Sequence, residues 1–246
     1  MVDGSSAPPP SPTSAAAYPG VPYPPTIAFP YAVRRSLEGI TLLGAALGVA
    51  ATRLALNAFV PWSPVSGFEA LLASLGFVFL LMYPSALGVH HRRWVFCATG
   101  AAALAGIVGI TLTFSYVQVT GWESHATAFR GQVLRATIVV LLASVSAFLA
   151  TYALQDIAGK ALLGAAVVAG IAIQAYLWIA LNDAIDRALV AAISGGGYTP
   201  FDAFEAEWRW LGAWNAVPMA LFLVAYERLY WHLRKRYFPG ASLWNV

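Results

Sequence analysis

Six long apolar runs, near residues 38–60, 66–89, 94–119, 132–154, 160–185 and 208–232, dominate the chain. Each is long enough for the roughly 20 residues with which a helix crosses about 30 Å of hydrocarbon. Every backbone N–H and C=O must be satisfied inside the segment there, so a strand of this length would need a closed barrel. The alternation of period two that barrel strands carry is missing. The pattern predicts an all-α membrane protein, a bundle of six transmembrane helices over residues 34–238. The loops at 61–65, 90–93 and 155–159 are short, which places neighbouring helices antiparallel. Only the stretch 186–207 is long. It holds three consecutive glycines at 195–197 and an acidic, aromatic sequence, and it is expected to be an extracytosolic loop. No 20–50-residue repeat is visible.

Residues 1–33 differ sharply. They contain nine prolines and one charge, Asp3. Proline fixes φ and removes backbone donors, so a disordered or polyproline-like tail is expected there, with a short second tail at 239–246. Pro22 and Pro25 form a PxxP, a weak match in so proline-rich a context. No basic n-region with a short apolar core marks a signal peptide, and the first apolar segment is expected to direct membrane insertion.

Composition agrees with the membrane class. Hydrophobic residues make up 59% and charged residues 10% of the 246 positions, against about 25% charged in a soluble domain. The net charge of +3 does not point to nucleic acid, because the cations collect at segment ends. Arg34, Arg35, Arg92, Arg93, Lys160, Arg228, Arg234, Lys235 and Arg236 fall on one side, and Arg130, Arg187 and Arg209 on the other. This positive-inside bias predicts that both termini are cytosolic. Tryptophans 62, 94, 122, 208, 210 and 231 suit the interfacial belts. The lone Cys97 excludes an internal disulfide and a multi-cysteine metal site.

Catalytic chemistry is not visible. The chain has no HExxH, CxxC, GxSxG or P-loop motif. His90 and His91 are adjacent and point about 100° apart on a helix, so they read as polar residues at a cytosolic helix end. Asp183 and Asp186, beside Asn182 and Arg187, read as a solvated cap rather than as metal ligands. The expectation is a non-enzyme without metal or cofactor. Arg53, Arg135, Glu227 and Arg228 lie near segment ends, where long side chains can snorkel. The middle of the bundle is left nearly free of formal charge and ill suited to ions. Gln174 is its most conspicuous polar side chain, read as an interhelical hydrogen bond or as the polar contact to a lipid-like ligand. Gly44 and Gly48 form a GxxxG that lets helix backbones approach closely.

Several matches, in chain order, give the sequence a resemblance to a known family. Leu81-Met82-Tyr83-Pro84 ends the second segment, and Arg93-Trp94 with Cys97 opens the third. Thr151 and Gln174 form a threonine–glutamine pair, Tyr198-Thr199-Pro200-Phe201-Asp202 follows, and Trp210-Leu211 opens the last segment. In these positions the chain resembles the Insig family of sterol-responsive regulators of the endoplasmic reticulum membrane. It departs from that family at Leu87, where the family has an aspartate, in the displaced Pro200, and in a last segment without the family's glycine-rich run. The resemblance implies a six-helix bundle around a pocket for a sterol or other apolar lipid, with Gln174 facing the pocket or a partner. It also implies a regulatory surface at Tyr198, Thr199 and Asp202 that retains a second polytopic, sterol-sensing membrane protein. A eukaryotic member would sit in the endoplasmic reticulum and a bacterial one in the inner membrane. A carrier for a small uncharged solute, lined by Gln174, Asn182, Asp183 and Asp186, stays open as an alternative. So does a structural subunit of a membrane complex or a homo-oligomer.

Overall fold

The computed structural model describes residues 28–59, 68–113, 122–196 and 199–238. These form an all-α bundle of α1 (Ala28–Asn57), α2 (Phe68–Met82), α3 (Val89–Thr113), α4 (Trp122–Tyr152), α5 (Ile157–Ala191), α6 (Thr199–Gly212) and α7 (Ala216–Tyr237). A π turn, Ala192–Gly196, extends α5, and a 3-10 turn, Ala213–Asn215, joins α6 to α7. The described residues therefore make six continuous helical stretches.

Four helices are long and apolar enough to cross a membrane, over residues 31–57, 89–110, 124–152 and 157–195. The chain thus has the architecture of a multi-pass helical membrane protein. The apolar α2 has 15 residues, about 22 Å of helix. The 22-residue α7 is long enough, but Glu227, Arg228, Arg234, Lys235 and Arg236 crowd its C-terminal half.

Two expectations are corrected. The N-terminal tail does not extend to residue 33, because α1 begins at Ala28 and already buries Ala32 and Val33. Pro30 is tolerated because it sits in the first turn, where its missing N–H has no intrahelical partner to lose. Residues 186–207 are not an open loop. Helix α5 continues to Ala191, the chain breaks at Gly195 with a φ of 104°, and α6 begins at Thr199. A positive φ of this kind favours glycine.

Neighbours run in the order α2, α1, α7, α5, α4, α3, with α6 against α5. Three apolar cores hold this arrangement. The first joins Val33, Leu37 and Ile40 of α1 to Leu80 of α2, Val95 and Ala98 of α3 and Leu229 and Leu233 of α7. The second, of Phe129, Val133, Leu181, Ile185, Phe204 and Leu211, ties the start of α4 to the end of α5 and to α6. A small third core, centred on Leu163, Ala166, Phe222 and Ala225, joins α5 to α7.

The α4–α5 turn is clasped onto α7. Asp156 caps α5 by accepting from the Gly159 amide at 2.8 Å and pairs with Arg228 at 2.7 Å. Gln155 Nε2 donates to the Ala225 carbonyl at 3.0 Å. The Arg228 hydrogen bond, and then the Gly159 amide, hold the Asp156 carboxyl down to about 2. Its ordinary value is 3.8, so the clasp contributes fully above that pH and is lost as pH falls towards 2. Asp156→Asn is therefore expected to lower the melting temperature in detergent at pH 7. The gap from the parent protein should close at pH 2, and a gap that persists there would contradict the assignment.

Candidate functional site

Helix α3 presents one stripe inward, formed by residues 91, 95, 98, 102, 105 and 109, which recur at helical spacing. Its lower members are sealed: His91 is 3% exposed, Val95 and Ala98 are 0%, and Ala105 is 8%. At Gly109, on the same stripe, a built Cβ would meet no atom within 4 Å. The stripe that is closed around Val95 meets no neighbour at Gly109 among the described residues.

The neighbouring helices open at the same end. No side chain is buried over residues 47–59 of α1 and its closing turn, 68–75 of α2, or 106–110 of α3. Leu47, Gly48 and Ala73 still touch neighbouring helices, but no position in these three stretches is fully covered. Yet they are rich in apolar residues such as Leu54, Leu71 and Ile107. Arg53 of α1 and Glu69 of α2 meet at this end, with Nε 2.8 Å from Oε1. That contact lies off the hydrogen-bonding direction, and Glu69 Oε2 is buried without a donor among the described residues.

Ion pairs stand at both ends of the bundle. Arg34 and Arg35 share Glu38, and Asp156 holds Arg228. At the opposite end Arg130 pairs with Asp186, and Arg187 with Asp183 and Glu207. Asp183 and Asp186 are thus spent on arginines and exposed, and Asn182 donates to the Trp178 carbonyl. None of these three residues converges on Gln174. Among the described residues no group of three or more His, Cys, Asp or Glu side chains could hold a metal ion.

Gln174, 4% exposed, donates through Nε2 to Asn215 Oδ1 at 2.6 Å. Asn215, 6% exposed, comes from the 3-10 turn ahead of α7, which packs on α1. Sequence reasoning missed this partner, although an asparagine within the last apolar run was a visible signal. Among the described residues neither Gln174 Oε1 nor Asn215 Nδ2 makes a further hydrogen bond. Gln174 lies 14 residues beyond Lys160 and four before Trp178, so about 21 Å and 6 Å along the helix. It is the central residue of α5, equally far from Ile157 and Ala191.

Gly44 and Gly48 face α7, with built Cβ atoms 3.7 Å from Tyr226 and 3.5 Å from Leu223. Those are ordinary contact distances. A tighter glycine contact, at Gly39 and Gly76, was not anticipated. Thr199 and Asp202 fall in the first turn of α6, with side chains outside the described set, and Tyr198 lies outside the described residues.

The two histidines at the start of α3 part company. His90 is exposed, while His91 is buried and neither of its nitrogens has a hydrogen-bond partner among the described residues. A buried polar group without partners costs free energy. His91→Leu is expected to leave stability unchanged or to raise it by about 1–2 kcal/mol, and a clear loss in a denaturation curve would show a hidden partner.

No protein family, curated protein or solved structure matches this chain, so its site is defined by this geometry alone.

Proposed function

We propose that this protein crosses the membrane six times, with both termini cytosolic, and holds a sterol or other apolar lipid in the cleft between α1, α2 and α3. The open space at Gly109, on a stripe buried at His91, Val95, Ala98 and Ala105 below it, carries this reading. An apolar guest there would bind by burial of its surface, at about 25 cal/mol per Å², with few polar contacts to orient it. The Gln174–Asn215 pair is the candidate for one such contact, since each amide keeps a free hydrogen-bonding atom and the turn bearing Asn215 packs on α1, the cleft wall. The largely apolar stretches around the cleft, whose only formal charges are the paired Arg53 and Glu69, favour a neutral guest over an ion.

The Insig resemblance extends this to a non-enzymatic regulator that retains a second polytopic membrane protein. The lipid would favour the conformation that binds the partner, and Asp202 of α6, with Tyr198 and Thr199, is the candidate contact. The membrane would be that of the endoplasmic reticulum in a eukaryote, or the inner membrane in a bacterium.

Photo-crosslinking with sterol and diacylglycerol probes tests the cleft. Saturable labelling of α1–α3 peptides is expected, and Gly109→Trp should reduce it about tenfold while the protein stays folded, because the indole enters vacant space. Labelling that never saturates, or that Gly109→Trp leaves unchanged, would overturn the proposal.

A further inference from the structure

At the end of the bundle opposite the cleft, five exposed cations have no acidic partner among the described residues: Arg92, Arg93, Lys160, Lys235 and Arg236. One of them belongs to an ordered aromatic shelf. Tyr152 closes α4 and meets Trp94 of α3 edge-on at 5.5 Å. It also stacks on Phe148 at 4.8 Å. Lys160 of α5 holds its Nζ over the Tyr152 ring, 5.1 Å from the centroid. Three helices thus contribute to one polar–aromatic corner, with Arg93 beside Trp94 in sequence.

An apolar track leads away from this corner along α5. Ile157 is 89% exposed, Val168 67% and Ile171 54%, all within about 80° of Lys160 around the helix. Gly164, between them, has no atom within 4 Å of a built Cβ and forms a notch. A cation seated on aromatic rings, with a greasy track running from it into the bilayer, matches an anionic amphiphile. The ring faces pre-orient the ammonium, and aromatic side chains of this kind sit at headgroup level.

We propose that this corner is a binding site for an anionic phospholipid of the same leaflet. Lys160, assisted by Arg93, takes the phosphate, Trp94 and Tyr152 hold the glycerol region, and one acyl chain lies along Gly164, Val168 and Ile171. The site uses the membrane-spanning reading but not the cleft, so failure of sterol labelling at Gly109 would leave it standing.

Native mass spectrometry of the full chain released from nanodiscs of mixed phosphatidylcholine and phosphatidylglycerol tests it. The parent protein should retain phosphatidylglycerol in preference to phosphatidylcholine. Lys160→Gln should weaken that retention about fivefold, the effect of one basic residue at an acidic membrane surface. Lys235→Gln, an exposed cation at the same end but off the shelf, should change it little. Equal retention of the two lipids, or an unaltered Lys160→Gln protein, would overturn the site. So would equal losses in both variants, which would mean a diffuse surface charge.

Discussion

Gly39→Leu is expected to destabilise the bundle by about 3 kcal/mol, the upper range for overpacking. A Cβ at Gly39 would lie 2.8 Å from the Gly76 carbonyl oxygen and 3.2 Å from the Leu80 amide nitrogen. Both are backbone atoms, so the clash is relieved only by moving α2 away from α1. Gly76 has the reciprocal problem, with its own Cβ 2.8 Å from Leu43 Cγ and 3.0 Å from the Gly39 oxygen. The two helices therefore cross glycine on glycine, the close approach that small residues permit in membranes. Gly44→Ala should be nearly neutral, because its Cβ would meet Tyr226 at 3.7 Å. Unfolding curves in mixed detergent measure both, and a Gly39→Leu protein as stable as Gly44→Ala would refute the crossing.

The second large effect is expected at the buried amide pair. Gln174→Leu leaves Asn215 with an unanswered acceptor, and Asn215→Leu leaves Gln174 with an unanswered donor. Each single change should cost about 1–3 kcal/mol, the cost of an orphaned buried polar group. Gln174→Leu with Asn215→Leu should cost less than the sum, because the double variant leaves no orphan. A coupling of about 1–2 kcal/mol is expected between residues that share a direct hydrogen bond. Strict additivity would show that the two amides serve different partners.

The helices with the longest apolar runs were legible from hydropathy, because bilayer thickness dictates the length of any crossing element. What hydropathy does not encode is where a helix ends once it leaves the hydrocarbon. The polar stretch Asn182–Arg187 looked like a cap, yet α5 continues through it. The ion pair of Asp183 with Arg187 lies one turn along the helix, and Arg130 of α4 answers Asp186. The glycines at 195–197 suggested an open loop. Among the described residues the break falls at Gly195, and the spacing of Phe204, Trp208 and Leu211, at i, i+4 and i+7, was already the signature of an amphipathic helix.

The candidate site was less legible, because its features depend on which helices meet. Gly44 and Gly48 stand out as a motif within one segment, whereas Gly39 and Gly76 matter only as a pair across two helices. Gln174 could be singled out as a polar residue in an apolar run, but not assigned to Asn215, 41 residues away. Gly109 is one glycine among 21. Its meaning comes from the buried positions beneath it on the same stripe and the space in front of it.

A density map of the protein in lipid nanodiscs would examine the cleft directly. An elongated, non-protein density against Gly109, between α1, α2 and α3, is the expected result. Helices closed on one another there, with side chains filling the space around Gly109, would contradict a lipid-holding interior.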